Sequence, residues 1–242
     1  MEIYIFAALS ALIALTVHEY SHGYAAYRMG DPTAKSLGRL TLNPLKHLDP
    51  IGALCMIFFR FGWAKPVPIN PRYFKNPKKG FAIVALSGPV ANLVLSFFSA
   101  GLYLLFLALL TGVAFESMLW LNIAKNWLLF LYVFHSLNLG LAIFNLIPIP
   151  PLDGSRLLSL VLPPKKYFGL MRYERYIYFI LLGWLFIGDF LYGVLLRFSF
   201  IAETSFLASA LKVLSLSELL GSAIDLISRG MMWLWQLIPF LS

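Results

Sequence analysis

Cysteine is nearly absent: Cys55 is the only one among 242 residues. A lone thiol excludes an internal disulfide and a multi-cysteine metal site, so any metal must be held by histidine and carboxylate groups. Charge is scarce too. Asp, Glu, Lys and Arg make up 12% of the chain, about half the ~25% of soluble domains. No polar stretch is long enough to form a separate soluble domain. The opening apolar run, residues 3–17, lacks the basic flank and small-residue cleavage site of a signal peptide and carries Glu2 instead, so it is read as a retained helix. Basic residues outnumber acidic ones, 19 against 11. They do not interleave with aromatics on a soluble face, so nucleic acid is excluded as a partner.

What is present is apolar. Hydrophobic residues make up 60% and aromatics 16%, with a mean hydropathy of +0.79, and runs of membrane-spanning length recur along the chain. The expected fold is one all-α polytopic membrane domain over residues 1–242, with about five or six membrane helices and the lipid bilayer as its solvent. A first helix is expected from Glu2 to Met29, closed by Gly30-Asp31-Pro32. The following stretch, 33–80, is rich in Pro, Asn, Lys and Arg. Its one apolar patch, 51–61, is too short at about 1.5 Å per residue to cross ~30 Å of hydrocarbon, and is read as re-entrant or interfacial. Pro66, Pro68 and Pro71 forbid helix over 65–71 and leave an edge strand or a polyproline segment. Residues 81–110 and 127–147 are expected to span, with Asn122, Lys125 and Asn126 marking an interface between them. Five prolines follow within 148–164, and 177–196 makes a further span. The stretch 198–242 is expected to hold one more span and an amphipathic surface helix.

Ten of the 19 basic residues lie between Arg28 and Lys79 and five between Arg156 and Arg175. By the positive-inside rule both stretches are cytoplasmic and the N-terminus is outside.

Chemistry concentrates in His18-Glu19-Tyr20-Ser21-His22, an H-E-x-x-H motif inside the first helix. The i, i+4 spacing puts both imidazoles on one helical face, where they can share one zinc, and places Glu19 near enough to act as general base on the attacking water. The bland alternative is a chance pattern of surface histidines. Against it, ionisable groups inside an apolar helix are costly and seldom kept without a partner. A catalytic zinc needs a third ligand, for which His47, Asp49, His135 and Asp153 are candidates. Asp153 stands where prolines break a membrane helix; the bland alternative is that it caps the next helix, as aspartate often does. His47 and Asp49 lie in a polar loop, and His135 has the simpler reading of a packing residue. A lone amide such as Asn92 in an apolar helix hydrogen-bonds between helices by default. Asp189 has no motif around it and is read as paired with a polar neighbour or water.

The H-E-x-x-H together with Asn145-x-x-Pro148-x-Pro150-Pro151-Leu152-Asp153-Gly154 resembles the site-2 protease family of intramembrane zinc metalloproteases. Gly88-Pro89-Val90-Ala91-Asn92 is similar to the family's G-P-x-x-N element, and the stretch from Gly30-Asp31-Pro32-Thr33 to Gly52 is similar to its small bacterial and archaeal branch, which lacks PDZ and CBS domains. The matching core is 16–156, with further helices over 165–242. The resemblance implies one zinc per chain held by His18, His22 and Asp153, with Glu19 as catalytic carboxylate and Asn92 and Asn145 as substrate-contacting or supporting groups. It also implies a membrane-spanning protein substrate and a place in a prokaryotic cell membrane. A helical substrate must unwind before cleavage, and an extended segment can then pair with an exposed edge, for which Val67, Ile69 and Asn70 are the candidates. The water-filled cavity is expected to open toward the cytoplasm. The competing function is a zinc transporter or channel. It is disfavoured by the missing inverted repeats and by Glu19, since transit needs no general base.

Overall fold

The computed structural model describes residues 2–59, 62–111, 113, 117–184, 216–239 and 241. Among them the only regular structure is helical, with one isolated antiparallel bridge between Leu48 and Ala64. Three helices are long and apolar enough to cross a membrane: α1 (Glu2–Arg28), α4 (Pro77–Leu110) and α5 (Met118–Leu146). These three pack against one another and form the frame of the molecule. The short helices α2 (Thr33–Ser36) and α3 (Pro50–Phe59) lie in the polar stretch after α1. The ten residues of α3 rise only about 15 Å, as the patch length required.

Local chemistry sets the boundaries. Gly30 adopts φ +104° just beyond α1, the left-handed conformation that glycine reaches without strain. Asn76 caps α4 by accepting the Lys79 N–H at 3.1 Å, with Pro77 in the first turn. Ser117 caps α5, so that helix begins nine residues before the expected 127. Asn122, Lys125 and Asn126 are part of it. Their polarity marks where the helix nears water, and polarity alone does not end a helix that has a good cap.

After α5 the chain turns sharply through Pro148–Asp153 into α6 (Gly154–Val161) and α7 (Pro164–Met171). A side chain at Gly154 would fall 2.2 Å from the Leu146 carbonyl oxygen. Only glycine therefore lets α6 start against the end of α5. Residues 174–184 are again helical; the rest of the expected 177–196 span, with Asp189, lies outside the described residues. The last helix, α8 (Leu216–Gln236), packs on α4 and α5. Its Ser228 hydroxyl meets His135 Nε2 at 2.7 Å, and its Trp235 indole donates to the Phe97 carbonyl at 2.9 Å. Asp225 and Arg229 are exposed, which makes α8 amphipathic in the expected sense.

Residues 65–70 are neither helix nor strand, and Pro71 opens a one-turn 3-10 helix, Pro71–Tyr73. Val67 is buried, and Ile69 packs against the cluster of Ala26, Phe74 and Val84. The Val67 and Asn70 amides, expected to be open for substrate, are engaged instead: Val67 N–H donates to Glu19 Oε2 at 2.7 Å and Asn70 N–H to Asp31 Oδ2 at 2.6 Å. Over 65–71 the chain thus forms a strap against α1, in which the Ile69 amide alone of the three expected donors has no partner among the described residues. Two buried or half-buried carboxylates need donors, and the strap supplies them.

Candidate metal centre

His18 and His22 lie on one face of α1, both about 5% exposed. The turn after α5 brings Asp153 to them. Asp153 Oδ2 stands 3.1 Å from His18 Nε2 and 3.1 Å from His22 Nε2, and the two Nε2 atoms are 3.0 Å apart. The Asp153 side chain makes no cap hydrogen bond to α6, so the capping alternative does not account for it.

The partners on the far side of each ring decide what the Nε2 atoms present. The Asn92 amide donates through Nδ2 to Asn138 Oδ1 at 2.8 Å and to the Ala14 carbonyl at 3.3 Å. Its Oδ1 is therefore the acceptor facing His18 Nδ1 at 2.6 Å. His22 Nδ1 faces another pure acceptor, the Val84 carbonyl, at 2.7 Å. In the neutral rings both protons therefore sit on Nδ1, and both Nε2 lone pairs point at each other and at a carboxylate. Three lone-pair donors with no proton among them suit a cation. A tetrahedral zinc with arms of about 2.0–2.1 Å sets its ligands about 3.3 Å apart, close to the separations found. Room for such an ion is kept by Gly88 of α4, where a Cβ would lie 2.5 Å from His22 Nε2 and 2.7 Å from His18 Nε2.

Glu19, half-buried, is held through Oε2 by the Val67 amide. Asn92 joins the site directly. Asn145 does not: its Nδ2 donates to the Leu141 carbonyl of its own helix at 3.0 Å. Ile69 and Asn70 do not reach the ligand cluster either, and Val67 acts on Glu19 alone. The other ligand candidates are engaged elsewhere. His47 Nε2 meets the Thr41 carbonyl at 2.8 Å, Asp49 Oδ1 accepts the Ile51 and Gly52 amides, and His135 is bound between Ser96 and Ser228. Sequence reasoning missed the Val84 carbonyl, Asn138, the spacing role of Gly88 and the buried Asp31. Gly88 carried a signal from its place in the G-P-x-x-N element, and Asp31 from its place in Gly30-Asp31-Pro32-Thr33.

An H-E-x-x-H helix joined by a carboxylate from the turn after a second apolar helix is a donor set that suits the zinc of a metallopeptidase. The chain matches Peptidase family M50, the site-2 protease family, over residues 6–187, and it belongs to that family. It is 42% identical over 159 residues to YwhC of Bacillus subtilis, which its name assigns to the zinc metalloproteases, covering 66% of this chain and 70% of that one. It is 34% identical over 158 residues to Rip2 of Mycolicibacterium smegmatis, covering 63% and 55%, and 28% identical over 155 residues to the zinc metalloprotease MJ0392 of Methanocaldococcus jannaschii, covering 64% and 33%. No solved structure matches the chain. The protein is a zinc-dependent membrane protease, and the transporter alternative has no support in these relationships.

Proposed function

We propose that the protein is an intramembrane endopeptidase in which His18, His22 and Asp153 hold one zinc and Glu19 moves the proton. The observation that carries this reading is the convergence of three potential ligand atoms, His18 Nε2, His22 Nε2 and Asp153 Oδ2, inside a bundle of apolar helices. When bound, zinc supplies Lewis-acid polarisation of the scissile carbonyl and makes water nucleophilic near neutral pH. Glu19 has one oxygen fixed by the Val67 amide and the other, Oε1, free to take a proton from the attacking water and return it to the leaving amine. Asn92 fixes the His18 tautomer and ring orientation. Asn145, with its Oδ1 uncommitted among the described residues, is the group available to a substrate main chain.

The substrates are membrane-spanning proteins, cut where their helices unwind. Five or six membrane helices in a prokaryotic cell membrane complete the reading, with the N-terminus outside and the basic loops and the site's opening on the cytoplasmic side. The test is cleavage of a model membrane-spanning substrate by the purified zinc-loaded protein and by Glu19→Gln, with zinc measured on both samples. Cleavage by the parent, and its loss in Glu19→Gln with zinc retained, is the expected result. Equal cleavage by both removes Glu19 from the mechanism.

A further inference from the structure

The geometry points to Asp31 as a positioning residue that sets the orientation of Glu19 through the strap 65–71. This inference rests on Glu19 being the proton-moving group.

Asp31 lies just past the end of α1 and is fully buried. Every contact it makes orders local chain: Oδ1 accepts the Thr33 amide at 2.9 Å and the Thr33 hydroxyl, and Oδ2 accepts the Asn70 amide at 2.6 Å. A buried carboxylate with three donors is fixed in place. What it fixes is one end of a stiff segment. Pro66, Pro68 and Pro71 have locked φ and no N–H, so the strap has few soft torsions and only four amides, at Lys65, Val67, Ile69 and Asn70. Three of the four are spoken for: Lys65 N–H by the His47 carbonyl at 2.8 Å, Val67 N–H by Glu19, and Asn70 N–H by Asp31. The Ile69 amide has no partner among the described residues. Arg39 adds a 2.7 Å bond to the Lys65 carbonyl.

The strap is therefore hung at both ends, and the one bond between those ends goes to Glu19. From below, Gly23 stands one helical turn after Glu19. A Cβ there would lie 3.1 Å from Val67 Cγ1, so Gly23 lets Val67 settle onto the face of α1 that carries Glu19. Release of Asn70 by loss of Asp31 frees one end of the strap and lets the Val67 amide drift from Glu19 Oε2. The metal ligands are not touched by this change.

The experiment measures hydrogen exchange over a peptide covering 63–71, zinc content, and kcat and KM, on the full chain. Exchange is read without zinc, so it reports on the clamp independently of catalysis. In the parent, Lys65, Val67 and Asn70 should exchange slowly and Ile69 fast. Asp31→Ala should speed Val67 and Asn70 exchange about tenfold, keep zinc content at the parent level, and lower kcat by at least about tenfold with KM within about twofold. Asp31→Asn, which keeps an acceptor for the Asn70 amide, should restore most of both. Gly23→Val perturbs Val67 from the α1 side and should speed Val67 exchange and lower kcat with Asn70 still slow, which keeps the test usable if Asp31→Ala does not fold. Faster Asn70 exchange with Val67 and kcat unchanged overturns the inference, as does a kcat loss that tracks zinc loss. Full cleavage by Glu19→Gln would instead remove the general-base reading on which it rests.

Discussion

His18 and His22 acquire their chemistry from atoms on the side of the ring away from the metal. Asn92 Oδ1 and the Val84 carbonyl place both protons on Nδ1, and a histidine whose outer partner is removed loses both tautomer and ring orientation. Asn92→Ala should therefore keep the fold and weaken zinc binding by about 10–100-fold, measured by competition with a chelator. Gly88→Ala attacks the same site from the other side. The added methyl would fall within 2.7 Å of both Nε2 atoms, so zinc affinity should fall by at least about tenfold while helix content is kept. The ligand pair and Glu19 were legible in the sequence because their spacing is a property of a single helix. Asp153 was one of four candidates until the family motif selected it, since a contact 131 residues distant along the chain depends on how the turn after α5 folds back. The outer partners were half-legible. Asn92 stands in a motif, whereas Val84 contributes a backbone oxygen that any residue could offer.

Segments 65–70 and 148–153 show what proline does at the scale of an element. Both were expected to be non-helical, and both are. What the sequence did not reveal is where their amides go, because a backbone donor has no residue type to read. The strap retains one open amide, Ile69, and that narrows the edge-pairing idea to a single donor. If an unwound substrate pairs there, Ile69→Pro should keep zinc and lower the cleavage rate by about five- to tenfold, the scale of one lost hydrogen bond. Ile69→Ala should cleave like the parent while losing about 1–2 kcal/mol of stability from its contact with Ala26, Phe74 and Val84. Equal cleavage by both variants, each zinc-loaded and folded, leaves the strap with only its internal role. The start of α5 teaches the same lesson in reverse. Polar Asn122, Lys125 and Asn126 suggested an interface, but the Ser117 cap carries the helix past them.

For the whole molecule, α1, α4 and α5 hold the site in the bundle, and the stretches 28–79 and 156–175 carry 15 of the 19 basic residues. With the native Cys55 replaced by serine, single cysteines at Lys78 and Lys165 should react with a membrane-impermeant reagent only from the cytoplasmic side. Labelling from outside alone would reverse the topology. The all-helical class and the three long spans were legible because hydropathy over ~20 residues is a strong signal. The packing of α8 was not, since its contacts through Ser228 and Trp235 depend on small residues of α4 and α5, among them Gly101 beneath the Trp235 ring. Everything in this account turns on one zinc held between α1 and the turn after α5. Zinc per chain, measured on purified parent and on Asp153→Ala after the same chelator wash, tests that directly. The account expects one zinc in the parent and loss of the tightly held metal in the variant; an unchanged content in Asp153→Ala would contradict it.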